Sequence, residues 1–376
     1  MTKPFHPEIT TPQQIGIFLS KQKWNHLVSK QYDPGLAELV RAAGLQGISP
    51  VWFSIPQLQL CKGLLLGATK RQGVLHIGLY PIPSVVYDLG VFSVKNRAET
   101  KKIRAALADR DVTFVNSRSA FSKWATHVVL SEDSLILPHL PRTVRFCETS
   151  DMANMLIIQP KLCVKSLWGS RGKEVMFVEM SDNGLTLLYP NGSVKAFGQL
   201  DGLVRAIKRF MQNKEFVIQQ WIELASKENR YFDIRVLLQK VALNRWDCTA
   251  LCLRQALPGH RSTSTSQGGE VKQVSPLLLE LWPSRYLQIV TDIKELAFNV
   301  AQRLEDKYGP LGELGIDVGI DINGGIWLFE VNSKPGKVTV RKLKQDDAIQ
   351  NAYQRPLLYA EMLLKEKYDG TGAQVY

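Results

Sequence analysis

The chain has 376 residues, 45% of them hydrophobic, enough to bury a sizeable core and to form about two or three domains. No apolar run approaches the roughly 18 residues that a bilayer-spanning helix needs, and the opening Met1-Thr-Lys-Pro-Phe-His-Pro7 lacks the apolar core of a signal peptide; the expectation is a soluble cytoplasmic protein with no membrane span. A net charge of +12 suits an anionic partner, but the basic residues are dispersed without a nucleic-acid motif, and the five scattered cysteines (Cys61, Cys147, Cys163, Cys248, Cys252) form no Cys-x-x-Cys pair, which argues against nucleic acid and against zinc.

Residues 14–20 (Gln-Ile-Gly-Ile-Phe-Leu-Ser) read as a buried strand, followed by a helical pattern through Leu36, Leu39, Val40 and Ala43 that stops at Gly44. Val51-Trp-Phe53 is a second strand. Apolar runs at 63–67 and 74–80 extend an alternation of strands and helices, so residues 1–112 are expected to form a small α/β domain on a parallel sheet. The absence of Gly-x-Gly-x-x-Gly there argues against dinucleotide binding.

Residues 113–376 divide again near 222. In the part from about 150, Met155–Pro160 and Leu162–Lys165 look strand-like, the loop Trp168-Gly-Ser-Arg-Gly-Lys173 follows, and Val175–Met180 is another strand. A glycine-rich loop with Lys and Arg between two strands is suited to cover phosphates, because exposed N–H groups and cationic side chains favour anions. A plain Gly-Ser turn explains the same residues, and the spacing is not that of a Walker A loop. Such a loop is expected to be mobile when empty and ordered with nucleotide. From about 223 onward come strands at Phe232–Gln239 and Leu251–Arg254, a Ser/Thr/Gly loop over 259–269, and an amphipathic helix with Ile289, Ile293, Leu296, Val300 and Leu304 on one stripe. That helix stops at Gly309-Pro310, and a closing helix is expected to start near Pro356.

Between them lies the stretch Gly315-Ile-Asp317-Val-Gly-Ile-Asp321-Ile-Asn323-Gly324-Gly-Ile-Trp-Leu-Phe-Glu330-Val-Asn332. Asn-Gly is a preferred two-residue hairpin turn. With Ile322 facing Gly325, counting outward sets Asp317 opposite Glu330, with Asn332 two residues on along the same face. Two carboxylates at roughly 5 Å repel unless a cation lies between them, and an oxygen-only donor set suits Mg²⁺ or Mn²⁺. Ile316, Val318, Ile320 and Ile322 are expected to pack one face, and Gly315 and Gly319 to leave room for a ligand on the other. Arg254 should face the same cleft, since Leu251 and Leu253 point the other way.

Taken together, these segments resemble the ATP-grasp superfamily over nearly the whole chain. Lys165-Ser-Leu-Trp-Gly169-Ser170-Arg-Gly172-Lys-Glu-Val175 resembles the family's phosphate flap, with Ser166 for a proline and Glu174 for a glycine. Phe121-Ser-Lys123-Trp resembles the segment supplying an earlier nucleotide lysine, and Val217-Ile-Gln219-Gln220-Trp221-Ile222 the hinge that holds adenine through backbone groups. Asp233-Ile-Arg235 and Arg254 are similar to the ribosomal-modification-type glutamate ligases, and Glu330-Val-Asn332-Ser-Lys-Pro-Gly336 to the metal motif. Leu140-Pro-Arg-Thr143, Tyr231-Phe-Asp-Ile-Arg-Val and Val331-Asn-Ser-Lys-Pro-Gly most resemble the spore-associated YheC/YheD group. Two segments depart from it: Thr263-Ser-Thr-Ser-Gln-Gly268-Gly269 lacks an Asn and an Arg, and Pro81-Ile-Pro-Ser-Val-Val-Tyr87-Asp88-Leu89 has Leu89 in place of an arginine.

The resemblance implies an α/β chain whose N-terminal pre-ATP-grasp domain precedes two α+β grasp subdomains. It implies ATP as nucleotide, contacted by Lys123, Lys165, Gly169, Ser170, Gly172, Gln219, Gln220, Trp221, Ile222 and Asp233, and Mg²⁺ or Mn²⁺ on Asp317, Glu330 and Asn332. It implies Arg254 as the catalytic group of a carboxylate–amine ligase working through an acyl phosphate, with a small-molecule or peptide carboxylate and an amine acceptor as partners. A non-catalytic nucleotide-binding protein of the spore coat and a small-molecule phosphotransferase remain as alternatives.

Overall fold

Ile15–Phe18 (β1) is buried at every position, as a strand covered on both faces must be. In the computed structural model, which describes residues 14–90, 97–169 and 174–369, β1 lies parallel between β2 (Val51–Phe53) and β6 (Val85–Asp88), and β7 (Thr113–Phe114) continues the row. The crossovers are α1 (Lys21–Val28), α2 (Pro34–Leu45) and α3 (Arg97–Ala108). Asp33 caps α2 by accepting from the Gly35 and Leu36 N–H groups, and Pro34 takes the first helical position, where no N–H is needed.

The wholly parallel sheet expected here is not what forms. β4 (Leu64–Arg71) and β5 (Val74–Pro81) make an antiparallel hairpin, and β3 (Leu58–Gln59) pairs antiparallel with β4. Gln72 and Gly73 have φ of 48° and 81°, a two-residue turn whose twist matches a hairpin and which leaves no room for a crossover helix.

Beyond α4 (Lys123–Ser131), a second sheet comprises β8 (Thr143–Arg145), β9 (Lys161–Ser166), β10 (Val175–Ser181), β11 (Gly184–Leu188), β12 (Val194–Phe197) and β13 (Phe216–Gln220), in the order β12-β11-β10-β9-β13-β8. Helices α5 (Thr149–Ile158) and α6 (Leu200–Phe210) cover it, with Met152, Met155, Leu203 and Ile207 in a core with Val164 and Val178. Residues Met155–Ile158, read above as strand, are therefore the end of α5. Asp151 accepts from the Cys147 and Glu148 N–H groups, which commits the segment to helix before its apolar run begins.

The third sheet holds β14 (Ser226–Lys227), β15 (Arg230–Ala242), β16 (Arg245–Gln255), β17 (Glu270–Lys272), β18 (Glu313–Ile320) and β19 (Ile326–Asn332), with β15 between β16 and β18. On one face, α7 (Val274–Leu281) and α8 (Tyr286–Tyr308) bury Leu278 and the stripe Ile289, Ile293, Leu296, Val300 and Leu304. On the other lie α9 (Val338–Leu343) and α10 (Asp346–Asp369), whose Ala352, Leu357 and Ala360 share a core with Ile17 and Trp52 of the N-terminal sheet and Leu36 of α2. Among the described residues no helix is long and apolar enough to cross a membrane.

The last helix starts ten residues before Pro356, which sits inside it. An internal proline removes the hydrogen bond to the carbonyl four residues back. Here that carbonyl is Ala352's, and it accepts instead from Gln239 Nε2 at 2.9 Å, while the same amide donates to Glu313 Oε2 at 3.0 Å. Gln239→Leu should leave the Ala352 carbonyl without its donor, at about 1–3 kcal/mol for a group left unsatisfied, while Glu313 Oε2 keeps Lys337 Nζ at 2.9 Å. A urea unfolding midpoint equal to the parent's would contradict this.

Candidate active site

The hairpin that was to set Asp317 against Glu330 does so by a different route. Asp321–Gly325 makes the turn, with Asp321 Oδ1 accepting from the Asn323 and Gly325 N–H groups at 2.8 Å and Oδ2 from Trp327 Nε1 at 2.8 Å. The inner pairs are Ile320 with Ile326, Gly319 with Trp327 and Val318 with Leu328, one residue out of the register counted from an Asn-Gly turn. A bulge at Phe329 then restores the count, and Asp317 does pair with Glu330, as Gly315 does with Asn332. Ile322, expected in the packed face, is 60% exposed beside the turn.

The two glycines make room for protein rather than ligand. A Cβ on Gly319 would lie 2.3 Å from the Phe329 ring, and one on Gly315 2.8 Å from Pro335. The bulge thus lays Phe329 over Gly319, where its ring sits 5.2 Å from Lys165 Nζ.

Neighbouring strands bring cations to both carboxylates. In register, Arg235 of β15 stands opposite Asp317, and Asp233 opposite Arg254 of β16. Arg235 binds Asp317 through Nε and through Nη2 at 2.9 Å, and Arg254 Nη2 reaches Asp317 at 3.1 Å. Arg254 also forks onto Asp233 at 2.7 and 2.5 Å, where Thr263 Oγ1 donates at 2.7 Å. Burial alone would push the Asp317 carboxyl up, but Arg235 and Arg254 outweigh it and hold it below the usual range. Burial likewise disfavours the Arg254 charge, and Asp233 and Asp317 more than reverse that. Arg254 is therefore a fixed, permanent cation. Among the described residues no group accepts from its Nη1, which is left to meet a ligand in the cleft that Arg254 lines.

Glu330 pairs with Lys123 Nζ at 3.0 Å, and the same ammonium donates to the Gly169 carbonyl at 2.7 Å. Lys165 Nζ donates to Gln219 Oε1 at 2.6 Å, and Gln219 in turn donates to Thr143. Along the hinge, the Gln220 and Trp221 N–H groups bond to Arg142 and Lys161 carbonyls, while among the described residues nothing accepts from the Ile222 N–H. Ser170 and Gly172 of the flap lie outside the described residues. The other expected residues, Lys123, Lys165, Gly169, Gln219, Gln220, Trp221, Ile222, Asp233, Arg254, Asp317, Glu330 and Asn332, line one cleft of about 1860 Å³ between the second and third sheets. Ordinary small-molecule sites occupy about 300–1,000 Å³, so this one has space for more than one substrate.

Arg235 was absent from the expected ligand set. The signal was present, because Asp233 and Arg235 alternate on one strand and so share a face. Arg261 is held 4.5 Å from the Trp221 ring, 5.3 Å from Phe177 and 5.2 Å from Tyr231, a cage whose rings come from β10, the hinge and β15.

The chain's own cations therefore neutralise the carboxylate pair that was expected to require a metal. A divalent ion still fits the residues present. Among the described residues nothing donates to Glu330 Oε2, the Asn332 side-chain amide is buried with an unpartnered atom, and the donors are all oxygen once that amide turns its carbonyl inward. Among the described residues no three His, Cys, Asp or Glu side chains stand together as a complete cage. Such a site suits Mg²⁺, which uses one or two carboxylates and completes its shell with phosphates and water.

The family model described as YheC/D like ATP-grasp matches residues 111–363. The endospore coat-associated protein YheD of Bacillus subtilis (strain 168) is 26% identical over 292 residues, 76% of this chain, which spans 64% of YheD's length. Endospore coat-associated protein YheC of the same strain is 22% identical over 290 residues, 76% of this chain and 79% of YheC. Among solved structures, D-cycloserine synthetase DcsG has a TM-score of 0.56 at 12% identity, covering 92% of this chain and 99% of that one, a likeness of fold.

Proposed function

The chain belongs to the YheC/D-like ATP-grasp family, and on that premise we propose that its cleft joins a carboxylic acid to an amine at the expense of ATP. The observation that carries the reading is Arg254, locked by Asp233 and Asp317 through Nε and Nη2, with no described residue accepting from its Nη1, in the cleft that Lys123 and Lys165 also line. Fixed donors aimed at developing negative charge are what phosphoryl and acyl transfer need.

A substrate carboxylate oxygen attacks the γ-phosphorus and ADP leaves, giving an acyl phosphate. The amine nitrogen then attacks the acyl carbon, the bond to phosphate breaks, and the amine's proton passes to solvent. Lys123 and Lys165 neutralise phosphate oxygens. Arg254 steadies charge on the transferring group and on the tetrahedral oxyanion, with its fork held in one orientation by Asp233 and Asp317. Asp317, Glu330 and Asn332 would hold Mg²⁺ or Mn²⁺, which supplies charge to draw electron density from the phosphates. The Ile222 N–H and the hinge beside it would receive the base, and residues 166–174 would cover the phosphates and keep water from the acyl phosphate.

The names of the relatives support a place in the spore coat, to be tested by locating the protein in sporulating and vegetative cells. The decisive biochemical test is ADP release against a panel of acids and amines. ATP consumption should require both, and should yield ADP and phosphate. ADP formed with an acid alone, and phosphate retained on it, would mean a phosphotransferase. Nucleotide binding with no turnover across the panel would mean a non-catalytic member, a reading that the altered loop at Thr263–Gly269 favours.

A further inference from the structure

One wall of the cleft, where α3 and the segment after β7 meet the end of β19, is basic. Lys101, Arg104, Ser117 and Arg118 line it together with Ser333 and Lys334, which follow the end of β19. Lys334 Nζ binds Asp88 Oδ1 at 2.7 Å and the Gly90 carbonyl at 2.8 Å. Arg104 pairs with the other oxygen of Asp88, donates to the Asn116 and Ser117 carbonyls at 2.8 and 3.1 Å, and lies 3.7 Å from the Phe114 ring centroid.

Among the described residues, then, one buried carboxylate serves two cations, while Lys101 and Arg118 add charge at the exposed rim. The remaining carboxylates of the cleft do not redress this. Glu174, Asp233, Asp317 and Glu330 are each held by a cation elsewhere, namely Lys214, Arg254, Arg235 and Lys123. Leu89, where related sequences are expected to carry arginine, packs against the core that Ile17 and Trp52 share with α10 and brings no charge of either sign.

A second, independent observation points to a ligand here. Ser333 lines the cleft at 3% exposure, and its buried hydroxyl has no hydrogen-bond partner. A buried polar group without a partner costs stability, so it is expected to find one when the site fills.

We propose that this wall is a subsite for a second acidic group on the acid substrate. The acid thus carries at least two anionic groups, one activated beside Arg254 and one held by Lys334, Arg104 and the Ser333 hydroxyl. Which group reacts rests on the ligase reading; the preference for a dianion does not. Charge-assisted hydrogen bonds from fixed donors are the strong kind, and the neutral amide of the same acid would forfeit them.

The test is calorimetry on the full chain saturated with a non-hydrolysable ATP analogue and Mg²⁺, using succinate, glutarate and adipate beside their monoamides. At least one diacid should bind about tenfold or more tightly than its monoamide, equivalent to about 1.4 kcal/mol. Lys334→Gln should bring that ratio close to unity. Ser333→Ala should weaken the diacid several-fold with an unchanged or higher Tm, because it deletes a hydroxyl unsatisfied in the free protein. Replacing one carboxylate by a phosphonate tells whether the preferred group is carboxylate or phosphate. Equal affinity across every pair, or a ratio untouched by both variants, would overturn the subsite. A diacid preference without ADP release from any acid would sustain the subsite and refute the ligase reading.

Discussion

Arg254→Ala is expected to lower ADP formation by about a hundredfold or more, with nucleotide affinity changed only a few fold. The guanidinium is oriented before substrate arrives, since Asp233 and Asp317 hold its Nε and Nη2. It therefore needs no rearrangement when charge develops on the transferring phosphoryl group or on the tetrahedral oxygen. Breaking a buried ion pair also costs stability, about 3–5 kcal/mol when one charge is left uncompensated. Here Asp317 keeps Arg235 and Asp233 keeps Thr263, which limits that cost. Arg254→Lys, which retains the charge but loses the fork, separates the two effects. It should fold like the parent and still lose at least about tenfold in turnover. Turnover equal to the parent's in both variants would remove Arg254 from the mechanism.

Glu330→Gln should reduce turnover by about 10²–10³ and raise the Mg²⁺ or Mn²⁺ concentration needed for half-maximal rate. The substitution is gentle on the fold. Lys123 can still donate to a glutamine oxygen and keeps the Gly169 carbonyl, so the unfolding midpoint should scarcely move. The loss then reports the missing negative charge. The readouts are calorimetric Mg-ATP binding and the metal dependence of ADP release; parent values in both would show that Glu330 holds no metal.

Much of the site was legible because it is built from cross-strand pairs. Alternation sets Asp317 near Glu330 and equally sets Asp233 and Arg235 on one face of β15; that Arg235 stands opposite Asp317 follows only from the strand order. Strand order is not written locally, however, and so Arg235 was passed over. The turn was misjudged by one residue, since nothing about Phe329 distinguishes a bulged aromatic from a paired one. The opposing error of the Asn-Gly count happened to cancel it.

Segments without a clear period fared worse. Met155-Leu-Ile-Ile158 is apolar throughout, so its helical state depends on the cap at Asp151 rather than on any stripe. Pro356 looked like a helix start because its lost hydrogen bond is made good by Gln239, which lies 117 residues earlier in the chain. The basic wall at Lys334 and Arg104 was likewise invisible, since three distant segments must meet at Asp88 before two cations share one carboxylate.

On the proposed mechanism the cleft activates a carboxylate by phosphoryl transfer. The most direct test of that step uses an accepted acid whose carboxylate oxygens carry a heavy isotope, turned over with ATP and amine, followed by mass analysis of the released phosphate. Attack by the carboxylate on the γ-phosphorus, and later cleavage of the acyl carbon–oxygen bond, predict one labelled oxygen in phosphate for each ADP formed. Phosphate without label, formed in step with ADP, would contradict the claim.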